Sequence, residues 1–266
     1  MKNLPFISIL LLFIAQFLGC KKDTGNSSTN PKQSELSTWG IQGNFLASKS
    51  LNKTYNFYFD QKDGSLFEIN NCGPTVATMA TLWEDSLFNK TPLDARNTIK
   101  PTGEWWSTRD IVNYLGYDKI NTKYDTLANI EQLVQNYINQ DKLIILCLDM
   151  YYVTYNPVYE NHVQKFYQDN IGSGHFLLVK GYLKTDAHFY LEVYDPNSWG
   201  QVYHNGSAAG SLKGKNRYYL SDDIKTATDN WWKYAIIVDT YNSKVLALNS
   251  DRTTPNQKSI PIAYGK

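Results

Sequence analysis

The chain has 266 residues, enough for one large domain or two small ones, and its 42% hydrophobic and 19% charged residues exclude a disordered protein. Lysine and arginine number 26 against 25 aspartate and glutamate, a net charge of +1 that gives no electrostatic reason to expect nucleic acid as a partner.

The N-terminus reads as an export signal. Lys2 is followed by an almost wholly apolar run, Leu4 to Leu18, too short to span a membrane comfortably. Phe17-Leu18-Gly19-Cys20 resembles a bacterial lipobox, with Phe17 in place of the usual aliphatic residue. That resemblance implies loss of residues 1–19, acylation of Cys20, and an exported protein held through lipid to the outer membrane or cell surface. Residues 20–40, rich in Ser, Thr, Asn, Lys and Gly, are expected to form the acylated end and a flexible tether, 41–245 the folded domain and 246–266 a tail.

Within the domain, Thr54 to Phe59 is an early strand candidate closed by the turn signal Lys62-Asp63-Gly64. Three helices are expected next. The first opens at Asn71-Cys72-Gly73-Pro74, where Pro suits the first turn, and carries Val76, Met79, Ala80 and Trp83 at helical spacing. The second opens at Ser107, three residues before Asp110, close to a capping box. The third, Thr126 to Gln140, has one apolar stripe from Leu127 to Ile138. Five strand candidates follow: Leu143–Asp149, His175–Tyr182, His188–Tyr194, Arg217–Leu220 and Tyr234–Asp239. Helices first and strands afterwards predict an α+β fold.

Three segments carry chemistry. A thiol at a helix start, as at Cys72, lies where free N–H groups and the helix dipole favour negative charge, and the same N–H groups suit an oxyanion. Gly73 is expected to let a substrate approach closely. His175 opens a strand in Gly-Ser-Gly-His-Phe-Leu-Leu-Val, about a hundred residues after Cys72, a separation that suits meeting in space. Asp195 ends the next strand candidate in Tyr194-Asp195-Pro196-Asn197, where a carboxylate can accept Nδ1–H of His175 and orient it. Taken singly, each has an ordinary explanation: a packed Cys, a structural His, a turn. Cys147, inside the apolar run Leu143–Leu148, is expected to be a buried thiol, although a disulfide with Cys72 is the other option in an exported protein. His162, His188 and His204 have no metal-ligand spacing, and the aromatic pairs Trp105-Trp106 and Trp231-Trp232 line either a cleft or the core.

In this order, Asn-Cys-Gly-Pro, Gly-His-Phe-Leu-Leu-Val and Tyr-Asp-Pro resemble the bacteriocin-leader-peptidase-like branch of the papain-type cysteine peptidases, from about residue 55 to 240. The resemblance implies a papain-like α+β fold, a peptide or protein substrate, no cofactor and no metal. It implies Cys72 as nucleophile, His175 as base and Asp195 as orienting residue. Asn197-Ser198-Trp199-Gly200 also matches papain proper, which makes Asn197 the alternative orienting residue. The family's oxyanion glutamine, six residues before the nucleophile, is replaced by Leu66. Gln61, Asn70 and Asn71 are the candidates to stand in for it, with Asn70 preferred for its short amide near the nucleophile. An acyl or aminoacyl transferase using the same thiol, and a catalytically inactive binding module, are the alternative functions.

Overall fold

A computed structural model describes residues 33–239. The export signal, Cys20 and the tail from 246 lie outside the described residues. A seven-stranded antiparallel sheet runs in the order β2 (Asn121–Thr126), β7 (Tyr234–Asp239), β3 (Leu143–Asp149), β4 (Gly174–Thr185), β5 (Phe189–Tyr194) and β6 (Arg217–Leu220). The long strand β4 pairs through its first half with β3 and through its second half with β1 (Phe45–Ser50), while β5 takes its other edge. Helices α2 (Cys72–Glu84), α3 (Pro92–Thr98), α4 (Thr108–Tyr117) and α5 (Ile130–Asn139) precede most of the sheet in sequence, and α6 (Ser221–Asp229) follows β6. The fold is α+β, as the order of helical and alternating segments predicted.

The centre of the molecule is α2. It is buried almost all round, including Thr75, Thr78 and Thr81, as expected for a helix enclosed by other elements rather than lying on a surface. Its buried threonines stay compatible with the core because Thr75 Oγ1 donates to the Asn71 carbonyl (2.6 Å) and Thr81 Oγ1 to the Ala77 carbonyl (3.0 Å). The helix packs on β4, whose nine residues from His175 to Leu183 are all buried. Strands β3 and β5 flank β4 and are wholly buried too, which is why they read as continuous apolar runs.

Several expectations are corrected. Thr54–Phe59 forms no strand: Phe57 and Tyr58 are buried and pack against Tyr194 at ring distances of 4.7 and 5.1 Å, but the backbone has no ladder partner. Side-chain burial alone produced that strand-like pattern. The third helix starts at Ile130, because Asn129 caps it through Gln132 N–H (3.0 Å) and Asn121–Thr126 pairs with β7 instead. The expected tether ends sooner than residue 40. Gln33–Trp39 is a helix, α1, whose Leu36 is fully buried against Ile41, Val163, Leu183, Tyr190 and Tyr218. Two apolar side chains, Leu36 and Trp39, are too sparse a signal to stand out in a polar stretch.

The docking of α1 is testable. Leu36→Ala should lower the unfolding free energy by about 2–5 kcal/mol, as for other buried leucines, with an unchanged urea m-value. A detached segment would give no change.

Candidate active site

The sequence around Cys72 builds a fixed helix start. A 3₁₀ turn, Glu68–Asn70, leads into Asn71, which precedes α2 without capping it through its side chain. Asn71 is fully buried and spends its amide elsewhere: Nδ2 donates to Asp63 Oδ2 (2.9 Å) and Ser65 Oγ (3.2 Å), while Oδ1 accepts from Arg96 Nε (2.9 Å). Arg96, also fully buried, donates further to the carbonyls of Asn70 (2.6 Å), Glu104 (2.6 Å) and Lys100 (3.3 Å). Its guanidinium lies 5.8 Å from the Trp106 ring, and Cys72 is among the groups whose negative charge it senses. One buried cation therefore ties α3 to the two residues before the thiol. Arg96 is not marked in the sequence, because nothing in Pro-Leu-Asp-Ala-Arg-Asn-Thr identifies its arginine as inward-facing.

Gly73 serves packing, contrary to the expected role in substrate approach. A Cβ there would sit 2.7 Å from Trp106 Cβ, so the glycine lets Trp106 close over the helix start. Trp106 is buried and donates Nε1–H to the Ile99 carbonyl (3.1 Å), whereas Trp105 is half exposed.

His175 and Asp195 come together because β4 and β5 are adjacent antiparallel strands, and Asp195 directly follows the last residue of β5. His175 Nε2 donates to Asp195 Oδ1 at 2.9 Å, and Cys72 lies within electrostatic reach of the imidazole. The expected use of Nδ1 towards the carboxylate is thus corrected: Nε2 faces Asp195. The carboxylate arrives from the neighbouring strand, and Cys72 from the helix packed on the sheet.

Asp195 has no solvent exposure and is surrounded by donors. Besides His175, its oxygens accept from the Asn197 N–H (2.9 Å) and the hydroxyls of Tyr219 (2.5 Å) and Tyr167 (2.8 Å). Its backbone is gripped as well: Tyr58 donates to its carbonyl (2.7 Å), and its N–H donates to the Gly214 carbonyl (2.9 Å). A Cβ on Gly214 would meet the Asp195 carbonyl oxygen at 1.9 Å, so only glycine fits there. Tyr58, Tyr167, Tyr219 and Gly214 were invisible as site residues in the sequence, since they come from four separate segments.

Desolvation opposes the His175 charge, but Asp195 and Cys72 outweigh it and raise the imidazole from 6.5 to about 10. Desolvation also pushes the Asp195 carboxyl up, yet His175, Tyr219 and Asn197 hold it below its ordinary value. At neutral pH the pair is imidazolium and carboxylate.

Asn197 does not reach His175. It gives its N–H to Asp195, while its Oδ1 is buried without a partner. Asn70, preferred as the oxyanion donor, is committed elsewhere: Nδ2 donates to the Gly103 carbonyl at 2.9 Å. Gln61 is buried, with Nε2 held only by longer bonds to the Glu68 (3.2 Å) and Ile69 (3.4 Å) carbonyls and with Oε1 unpaired. Leu66, at the glutamine's usual place, is almost fully exposed.

Cys147 is a free, buried thiol, and burial pushes it well above the ordinary thiol range, so the disulfide option with Cys72 is not realised. Trp231 covers Gly174, where a Cβ would lie 2.4 Å from the indole ring. His162 is stacked on Tyr203 (4.1 Å) and lowered to about 4 by desolvation and Arg217; His188 and His204 contact Gln42 and Tyr159. Among the described residues no group of His, Cys, Asp and Glu is placed to hold a metal.

No protein-family profile matches the chain, and no curated protein does. Similar solved structures include a protein described as a C39-like peptidase from Bacillus anthracis, 12% identical, with a TM-score of 0.46 over 73% of this chain and 98% of that one. Xylellain, a cysteine protease from Xylella fastidiosa, is 13% identical with a TM-score of 0.46 over 80% of this chain and 90% of its own. UfSP from C. elegans is 12% identical with a TM-score of 0.43, over 76% of this chain and 36% of its own. At this identity and overlap the likeness carries no chemistry, which rests on the side chains themselves.

The ion pair sets a pH dependence of stability. His175 is raised from 6.5 to about 10, so its contribution is complete below 6.5 and lost as pH rises towards 10. Asp195 is lowered from 3.8, so its contribution is present above that value and lost as pH falls below it. Asp195→Asn should therefore be most destabilising, relative to the parent, between about pH 4 and 6.5, and the gap should narrow by pH 9. Urea unfolding at pH 6 and pH 9 checks this; parallel pH profiles for the two proteins would refute it.

Proposed function

We propose that this chain is a thiol hydrolase of the papain type that cleaves peptide or amide bonds, with Cys72 as nucleophile, His175 as acid and base, and Asp195 as orienting residue. The observation that carries this reading is the buried His175–Asp195 pair, bonded at 2.9 Å, with Cys72 at the start of the helix that packs on β4 and within electrostatic reach of the imidazole. In the proposed reaction the Cys72 thiolate attacks the substrate carbonyl carbon, and protonated His175 gives its Nδ1 proton to the departing amine. Neutral His175 then takes a proton from water, whose oxygen attacks the thioester, releases the carboxylic acid and regenerates the thiolate. Asp195 stays ionised throughout and holds the ring by Nε2.

The oxyanion of each tetrahedral intermediate falls to the backbone N–H at Cys72 and to the Gln61 amide, the side-chain donor that is least firmly held. Transfer of the acyl group to an amine would use the same steps. An inactive binding module is the reading that Leu66, standing where the glutamine is usual, would favour.

The residues before the described region support an exported, lipid-anchored protein, acting on substrates at the cell envelope. Among the described residues, no helix is long and apolar enough to cross a membrane. Mass spectrometry of the native N-terminus should find acylated Cys20 as the first residue; an intact Met1 would remove this part of the proposal.

Thiol labelling tests the central reading. At pH 6, iodoacetamide should modify Cys72 and leave Cys147 unmodified in the folded protein. His175→Ala should slow Cys72 labelling by about tenfold or more, because the imidazolium partner is gone. With a cleaved substrate, Asp195→Ala should cut kcat/KM by about 10²-fold or more and Asn197→Ala far less. A Cys72 that resists labelling in the parent protein would favour the binding module, and a larger loss in Asn197→Ala would reassign the orienting residue.

A further inference from the structure

The structure holds a cavity of about 350 Å³, lined by Tyr151, Tyr152, Tyr155, Lys165, Gln168 and Asp169 among others. It is formed by the segment joining β3 to β4. Both ends of that segment are pinned next to His175. Asp149, the last residue of β3, pairs with Gly174, and its carboxylate accepts from the N–H groups of Tyr151 (3.0 Å) and Gly172 (2.8 Å). The middle of the segment is tied to the pair itself, since Tyr167 donates to Asp195 (2.8 Å) and Asp169 lies within electrostatic reach of His175. The cavity is therefore built on a segment fixed to the His175–Asp195 pair.

The lining has one chemical character. Tyr151 and Tyr155 are 51% and 40% exposed, large phenol surfaces left open to solvent, and Tyr152 is half-buried beside Tyr151, edge-on at 5.3 Å. Lys165 is not free to meet an anion: it is 3% exposed and its ammonium donates to the Met150 carbonyl. That single buried cation lies among Asp149, Asp169, Asp195 and Asp223. Asp195 is matched by His175, and the carboxylates of Asp149 and Asp223 are occupied by loop N–H groups and by Gln164. Asp169 is the remaining one. It is half-buried, burial raises its carboxyl, and although His175 and Lys165 lie within electrostatic reach, none of the ion pairs in direct contact among the described residues includes it.

We propose that this cavity is a specificity subsite for a cationic side chain, lysine or arginine, of a peptide substrate. The aliphatic stem and cationic head run along the Tyr151 and Tyr155 rings, and the head pairs with Asp169. An acidic side chain at the same place meets excess negative charge and no available cation. The consequence for turnover rests on the hydrolase reading above; the binding preference does not.

The test separates the two. Short fluorescent peptides differing only at one central residue, Lys, Arg, Gln or Glu, are titrated by anisotropy into Cys72→Ala protein, which cannot cleave them. The Lys and Arg peptides should bind at least tenfold more tightly than the Gln and Glu peptides, with the advantage shrinking at high salt. Asp169→Asn, on a partly exposed loop, should bring the four peptides to within about threefold of one another, and Tyr151→Ala should weaken the basic pair selectively. Equal binding of all four, no binding, or a basic preference that survives Asp169→Asn would overturn the subsite. A basic preference in binding, with no cleavage of any peptide by the Cys72 protein, would instead overturn the hydrolase reading and leave the subsite standing.

Discussion

Asp195 is a carboxylate with no exposure to water, and such a group stays ionised in a protein only when donors replace its hydration shell. Four do so here: one imidazole, one backbone amide and two phenol hydroxyls. The cost is large enough that the surrounding architecture is organised around it. Tyr219 comes from β6, Tyr167 from the segment before β4, and Tyr58 and Gly214 hold the backbone from two further loops. Removing any one of these leaves a buried lone pair unanswered, which is why so many separate segments converge on one short stretch after β5.

The opposite side of the site follows the same logic with the sign reversed. Arg96 is a buried cation without a carboxylate in direct contact, satisfied by carbonyls and by the Asn71 amide oxygen. Those acceptors belong to the turn that delivers Cys72. Cys72 is therefore within electrostatic reach of two buried cations, the Arg96 guanidinium bonded to the turn before it and the His175 imidazolium. Gly73 and Gly174 let Trp106 and Trp231 close over these two points, so both glycines serve the packing of indoles and neither opens room for a ligand.

The β3–β4 segment is fixed to that rigid core. Because Asp149 and Tyr167 anchor it to the end of the sheet, its exposed tyrosines and Asp169 are held in register with the His–Asp pair. Loops carry specificity well when a rigid scaffold positions them, and this one is tied at both ends and in the middle.

Local signals determined much of this by themselves. The apolar runs of β3 and β7 gave their boundaries to the residue, since a strand buried on both faces needs apolar side chains over most of its length, and β6, Arg217–Leu220, was legible from the turn residues around it. The Ser107–Asp110 capping box likewise marked α4, and Thr91–Asp94 with Pro92 carries the same unread signal for α3. Cys72, His175 and Asp195 were each marked by the helix start or strand end that holds them. The edge strands β1 and β2, with mostly polar or part-exposed residues, and the unpaired stretch Thr54–Phe59 were not legible, because pairing depends on a partner far away in the chain. The same reason governs the site. Which imidazole nitrogen meets Asp195, which amides are already spent, and which tyrosines and arginine satisfy the buried charges are set by contacts between segments 20 to 140 residues apart, and no local pattern records them.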